Sequence, residues 1–243
     1  MERTSTEMMR PAEVYAEPTA EELRRKRILE RSRVFRTLDA TTMRYVVSAS
    51  SLFEAKRRTA LPSDLRYVYV LGAGRIRVVR RASDGRELTM DYRYPGELTG
   101  EEALIHAPEN QLNLASERIE AVQLRVDTIK RLFTDHSGFA LAFMEFIGER
   151  LRSSQRRMET LLTRSVESRV VEFILDSAER HGEPDSRGTL VGIKFTHQEI
   201  ASFVGSTRET VTLILGELRK NGWVAFDHRR ILVTDATSMR ARL

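Results

Sequence analysis

The sequence predicts an α+β fold with an N-terminal β-roll, a long helix and a C-terminal winged helix-turn-helix. Three observations support this prediction. Apolar residues alternate with period two between 65 and 124, they recur at heptad spacing between 140 and 161, and two capped helices separated by a glycine precede a short hairpin. The predicted divisions are a mobile N-terminal extension with a short helix (1–34), the β-roll (35–135), a dimerisation helix (136–164) and the winged helix-turn-helix domain (165–243).

The composition is that of a globular protein, with 41% hydrophobic and 31% charged residues. The absence of cysteine excludes disulfides, Cys-held zinc and iron–sulfur clusters. No apolar stretch approaches the roughly 18 residues of a membrane span, and no signal-peptide core is evident at the N-terminus, so a cytoplasmic protein without membrane contact is expected. The net charge of +5 is spread along the chain and does not by itself indicate nucleic acid.

The first elements are predicted from capping residues. Residues 1–18 are polar and without periodicity, which predicts a mobile tail. Thr19 and Glu22 form a capping-box pattern before a short charged helix, and Asp39 is placed to cap a second helix.

Strand signals follow from Leu65 onward. The run around Tyr67 alternates in the manner of a half-buried strand, and Asp84-Gly85 is a two-residue hairpin signal because that turn needs positive φ. Further turns at Pro95-Gly96 and Gly100 predict a small antiparallel β-roll.

The helix over 136–164 carries an apolar seam with alternating steps of four and three residues after its first position. This spacing predicts a parallel two-stranded coiled-coil interface and hence a homodimer. An ordinary amphipathic core helix remains the alternative. The seam residues expected at the dimer interface, following Ala140, are Met144, Ile147, Leu151, Ser154, Met158 and Leu161.

The segment 195–235 has the pattern of a winged helix-turn-helix. Thr196 and Glu199 cap a short helix, Gly205 permits a sharp turn, and Ser206 or Thr207 caps the next helix. A hairpin with a basic tip follows, while the stretch 183–188 is predicted to be a loop. The outward face of the second helix suits a DNA major groove, since arginine can bond guanine, glutamate can accept from cytosine N4, and threonine or leucine can touch a thymine methyl.

Two sets of motifs resemble the family of the cyclic AMP receptor protein and the fumarate–nitrate regulator. FTHQEIASFVGSTRETVTLIL is similar to its DNA-recognition signature, and GAGRIRV, DGREL and YPGELTGEEAL are similar to its β-roll. The resemblance covers about 35–235 and implies a homodimer that binds near-palindromic promoter sites, with RNA polymerase as a further expected partner. The expected DNA-binding residues are Thr196, His197, Gln198, Ser206, Thr207, Arg208, Glu209, Thr212 and Leu213, with Arg229 at the wing.

The chain departs from that family at its ligand pocket. Gly100 and Glu101 match the ribose-binding position, and Ser154 and Gln155 match helix positions near the purine, but no arginine stands between Arg93 and Arg118. A buried phosphate without a cation is costly, so these four residues are expected to be a vestigial pocket and cyclic AMP is not expected as an effector. Leu213 replaces a basic base reader, and 51–64 lacks the usual glycine pair, which predicts a short or irregular edge.

No catalytic constellation or metal-ligand spacing is evident, so neither enzymatic activity nor a cofactor is expected. The leading hypothesis is a transcription regulator that binds double-stranded DNA without a cyclic nucleotide. Two alternatives remain: the same fold gated by an unidentified small molecule, and a nucleotide-sensing module whose helix-turn-helix contacts protein. Salt-dependent binding to a palindromic duplex would contradict the last of these.

Overall fold

The computed structural model describes residues 17–62, 66–81, 83, 85, 87–105 and 111–243. The predicted tail lies almost entirely outside this range. Helix α1 (Ala20–Arg31) begins with the expected capping box, in which Thr19 and Glu22 exchange hydrogen bonds. Helix α2 (Ala40–Ser48) is capped by Asp39, whose carboxylate accepts from the amides of Thr41 and Thr42 at 2.8 and 2.9 Å. Both predicted caps are confirmed.

The β-roll consists of two antiparallel sheets, in the orders β1-β7-β2-β5 and β4-β3-β6. Gly85 has φ +81°, as the predicted hairpin between β3 and β4 requires, while Asp84 lies outside the described residues. The edge strand β1 is followed by a turn in which Arg58, rather than a glycine, adopts φ +68°. The strands are β1 (Ser50–Ala55), β2 (Tyr67–Ala73), β3 (Ile76–Arg81), β4 (Glu87–Arg93), β5 (Leu98–Thr99), β6 (Gln111–Ala115) and β7 (Ile119–Arg125).

Two helices connect the roll to the C-terminal domain, α3 (Val126–Asp135) and the long α4 (Ser137–Thr163). The first turns of α4 are anchored in the β-roll core, where Phe139 and Phe143 are buried and Phe139 meets Phe35 edge-on at 5.2 Å. Further along α4, Arg150 donates to the Leu98 carbonyl oxygen and Arg157 to the Thr89 carbonyl oxygen, so the helix keeps contact with the strands of the roll. Within the described ranges, no helix is long and apolar enough to cross a membrane.

The C-terminal domain contains a helix-turn-helix and a four-stranded sheet in the order β10-β11-β9-β8. The sheet contributes Val191, Ile231 and Val233 to the core that it shares with α5 and α7. The elements are α5 (Val166–His181), β8 (Gly182–Asp185), β9 (Gly188–Val191), α6 (His197–Val204), α7 (Arg208–Lys220), β10 (Val224–Asp227), β11 (Arg230–Val233) and α8 (Ala236–Arg240).

The loop predicted over 183–188 is wrong, because these residues form the hairpin β8–β9. Asp185 closes its turn by accepting hydrogen bonds from the amide and the Nε of Arg187, both at 2.9 Å. The helix before the hairpin ends at His181, and Gly182 has φ −79° and enters the strand directly. A Cβ there would lie 2.1 Å from the Ala178 carbonyl oxygen, so close approach rather than a left-handed cap requires this glycine.

Candidate nucleic-acid interface

The helix-turn-helix has the predicted local geometry. Thr196 accepts a hydrogen bond from the Glu199 amide at 3.1 Å, and Glu199 accepts from the Thr196 amide at 2.8 Å, which completes a capping box at the start of α6. Gly205 then adopts φ +68° and ends α6. Thr207 caps α7 by accepting from the Thr210 amide at 3.2 Å, which decides between the two predicted caps. The turn therefore places the starts of both helices in fixed positions.

Helix α7 presents one apolar and one open face. Val211, Ile214, Leu215 and Leu218 are buried in the domain core. Such a face leaves the opposite side of the first turns free for a groove. The exposed residues on that side are Thr207, Arg208, Glu209, Thr212, Leu213 and Gly216.

Thr212 and His197 are linked on this open face. The Thr212 hydroxyl donates to the Arg208 carbonyl oxygen at 2.8 Å, and it lies 2.8 Å from His197 Nδ1. Because the hydroxyl proton is used by the carbonyl, the imidazole must donate from Nδ1, which fixes its tautomer. The Thr212 hydroxyl proton is thus used within the protein, so toward DNA this side chain can offer its methyl group to a thymine or accept a hydrogen bond, but it cannot donate one.

The predicted wing forms between β10 and β11. His228 and Arg229 occupy its two-residue turn with φ of +45° and +67°, and both side chains are exposed. Positive φ at both central positions matches the right-handed twist of the flanking strands. Arg187 from the neighbouring hairpin reaches Asp227 at 3.3 Å and joins the two hairpin tips. Arg229 therefore lies at the tip of a hairpin that is joined to the neighbouring hairpin by the contact between Arg187 and Asp227.

The winged domain is fixed to the β-roll through β4. Thr89 and Ser202 form a buried pair, with 2.9 Å between their hydroxyl oxygens, and the Ser202 hydroxyl lies 2.8 Å from the Glu87 carbonyl oxygen. The guanidinium of Arg157 from α4 donates to the carbonyl oxygens of Thr89 at 2.6 Å and Phe203 at 2.7 Å. These contacts join the roll, the long helix and α6.

Arg75 provides a second junction between the domains. Its side chain is almost fully buried, donates to the Lys194 carbonyl oxygen at 3.2 Å and pairs with Glu199 at 3.3 Å. Its guanidinium lies 4.5 Å from the centre of the Phe195 ring and 5.1 Å from that of Tyr92. Since Glu199 also caps α6, Arg75 couples the start of the helix-turn-helix to the roll.

The residues predicted to form a vestigial pocket are only partly brought together. Gly100 has φ +82°, and a Cβ there would lie 2.9 Å from the Tyr67 carbonyl oxygen, so glycine is required. Glu101 is mostly buried, whereas Ser154 and Gln155 are exposed on α4. Of the four predicted pocket residues, the single chain therefore encloses only Gly100 and Glu101, which belong to the β-roll.

Two arginines that sequence reasoning missed surround Glu101. Arg150 from α4 forms an ion pair with it, and Arg93 at the end of β4 approaches within 3.9 Å. The Arg150 guanidinium also lies 4.1 Å from the centre of the Phe146 ring, and burial together with Arg93 lowers the pKa of Arg150 to about 9. A sequence signal existed, since Arg150 stands one helical turn before Ser154. The positive charges beside Glu101 therefore come from β4 and α4, and not from the segment between Arg93 and Arg118, which has no arginine.

The predicted seam is exposed in the single chain. Met144 is 70% exposed, and Leu151 and Met158 are each 59% exposed, which is high for large apolar side chains. Ile147 and Leu161 are less exposed, at 38% and 37%, and Ser154 lies on the same open stripe. This stripe is therefore available to a partner.

These features define a Crp-type regulator fold, and comparison with known proteins agrees. Residues 63–136 match the cyclic nucleotide-binding domain family, and residues 168–242 match the Crp-like helix-turn-helix domain family. The chain belongs to the Crp/Fnr family of transcription regulators and is a Crp-like protein with a DNA-binding helix-turn-helix domain.

Three relatives show the extent of the similarity. A CRP-like cAMP-activated global transcriptional regulator of Mycobacterium tuberculosis is 26% identical over 176 residues, which are 72% of this chain and 79% of the relative. The global nitrogen regulator of Synechocystis is 26% identical over 210 residues, 85% of this chain and 92% of the relative. The structure of FixK2 from Bradyrhizobium japonicum, at 19% identity, has a TM-score of 0.71 and covers 79% of this chain and 96% of that chain.

Proposed function

We propose that this regulator binds near-palindromic DNA as a homodimer and reads bases with the start of α7. The observation that carries the proposal is the open face beginning at Arg208 and Glu209, held by the Thr207 cap and the Gly205 turn. An arginine there can bond O6 and N7 of guanine, and the glutamate can accept from cytosine N4. Thr196, Gln198 and Ser206 lie at helix starts that suit phosphate contacts.

The exposed seam of α4 supports the homodimer. Two copies that bury Met144, Leu151 and Met158 against each other would cover three large apolar side chains that are exposed in the single chain. A two-fold dimer would direct two α7 helices into successive major grooves about 34 Å apart.

The environment of Glu101 supports binding without a cyclic nucleotide. Arg150 pairs with this carboxylate and donates to the Leu98 carbonyl oxygen, so side chains of the protein itself tie α4 to the β-roll. A ligand's hydroxyls would have to compete with a buried ion pair for Glu101. We therefore expect the free protein to populate its DNA-binding geometry.

A second candidate, gating by a small anion, is favoured by a specific observation at the same site. Glu101 Oε2 and Arg93 Nε are buried and have no hydrogen-bond partner among the residues that the structure describes. Buried polar atoms are normally satisfied: an anionic group of a ligand could accept from Arg93 Nε, and a hydroxyl of the same ligand could donate to Glu101 Oε2.

One experiment separates the candidates. Purified, nucleotide-stripped protein is bound to a randomised duplex pool, and its affinity for the selected duplex is measured with and without cyclic AMP or cyclic GMP. Effector independence predicts less than about a threefold change, equivalent to below ~0.7 kcal/mol of coupling. A tenfold gain with either nucleotide would establish gating, and failure to select any duplex would contradict the DNA-binding proposal.

A further inference from the structure

An open cleft of about 1030 Å³ separates the β-roll from the start of the helix-turn-helix. We call it the arginine cleft. One wall comes from the roll and the other from the first residues of α6 and α7, so it is continuous with the open face of α7. The charged side chains of the roll wall are Arg57, Arg58, Arg77, Arg81 and Glu87, and the opposite wall includes Thr196, Gln198, Glu199 and Arg208.

The cleft carries an excess of positive charge. Five arginines line it against two glutamates. Glu87 forms ion pairs with Arg77 at 2.7 Å and with Arg81 at 3.9 Å. Glu199 forms an ion pair at 3.3 Å with Arg75, which is buried and does not line the cleft. Among the described residues, no acidic side chain forms an ion pair with the remaining three arginines, which are Arg57, Arg58 and Arg208.

The two unpaired arginines of the roll project from a rigid turn. The Arg58 amide donates to the Ala115 carbonyl oxygen at 2.7 Å, and the Ala115 amide returns a bond to Thr59 at 2.9 Å. Arg57 Nε donates to the Ser116 carbonyl oxygen at 3.1 Å, so its two Nη atoms remain to meet an anion. Arg58 holds a left-handed φ of +68°, where glycine would cost less, and such strain is a common mark of a functional position.

We infer that Arg57 and Arg58 contact the phosphate backbone of the same DNA that α7 reads, so that the β-roll takes a direct part in DNA binding. The inference rests on the proposed function. Unpaired guanidinium groups suit phosphate, and the cleft opens beside Arg208, where the DNA must pass.

The test removes both arginines without breaking the turn. In the full-length variant Arg57→Ala/Arg58→Gly, the glycine accepts the left-handed backbone, so the thermal unfolding midpoint followed by far-UV circular dichroism, which reports the β-roll as well as the winged domain, should not fall. The matched control is Arg27→Ala/Arg36→Ala, which removes the same charge from two exposed arginines outside the cleft. For each protein, the affinity for the selected duplex and for an unrelated duplex is measured across a salt series.

Four lost phosphate contacts per dimer should reduce the slope of log K against log salt by about 3–4, because each contributes about 0.9. The loss should be equal on both duplexes, since phosphates carry no sequence information. If the salt slope of the variant changes no more than that of the control, the inference is wrong. The proposed function is tested separately, by whether the wild-type protein selects a duplex. Calorimetry with pyrophosphate tests the alternative that the cleft binds a free anion. If pyrophosphate binds tightly to the wild type but not to the variant, and the salt slopes for DNA are unchanged, the cleft is a small-anion site and the inference is wrong.

Discussion

Replacing two glycines of the helix-turn-helix by alanine should change stability in opposite directions. Gly205 has φ +68°, and its added Cβ would lie 3.3 Å from Arg169 Nη1 and from Leu161 Cδ2. The left-handed conformation costs an alanine about 1–2 kcal/mol, and the close contacts add to that cost. Gly216 lies inside α7 with nothing near its Cβ, so Gly216→Ala should stabilise the domain by about 0.5–1 kcal/mol.

Trp223 is the only tryptophan and lies in the winged domain, so its fluorescence reports unfolding of that domain. Urea titrations at one fixed protein concentration should place the midpoint of Gly205→Ala below wild type by roughly 0.5 M, for a slope of about 2–3 kcal/mol per molar. Gly205→Asn keeps the contacts but tolerates the left-handed backbone better, and it should fall between the two. A urea midpoint of Gly205→Ala equal to that of the wild type, or a midpoint of Gly216→Ala below it, would refute the reasoning.

Two further predictions concern the proposed interfaces. Met158→Asp/Leu161→Asp places charges in the apolar seam, so sedimentation should show monomers and operator binding should be lost; a variant that stays dimeric would disprove the seam. Arg208→Ala should remove roughly 1–3 kcal/mol of discrimination against single-base changes, whereas Arg229→Ala should weaken binding evenly across duplexes. Equal loss on every duplex for Arg208→Ala would contradict its role as a base reader.

The sequence alone predicted the elements that depend on neighbouring residues. The caps at Thr19, Asp39 and Thr196 form as expected, because a cap satisfies amides two or three positions along the chain. The Gly205 turn follows from the backbone freedom of glycine in the same way, whereas the wing was predicted from the apolar runs on either side of its basic tip. Period-two alternation likewise identified the β-roll, and motif resemblance assigned the family.

The sequence did not reveal the hairpin β8–β9 or the cations around Glu101. The hairpin strands are four residues each and polar at their start, so no alternation was visible, and the pairing is completed by β11 from the end of the chain. Arg150 meets Glu101 only because α4 packs its first turns into the roll. Neither residue type nor spacing shows which of 40 basic residues reaches a given carboxylate.

Only the tertiary structure decided how the domains are joined and what lies between them. Thr89 and Ser202 are 113 positions apart, and their hydrogen bond exists because β4 and α6 meet face to face. The same docking brings Arg57 and Arg58 of the roll to the cleft that Arg208 lines. Local patterns determine each helix and strand because they act within one helical turn or one strand pair. An interface between domains depends instead on the relative placement of whole elements. Here the burial of Tyr92, Phe195 and Arg75 fixes that placement.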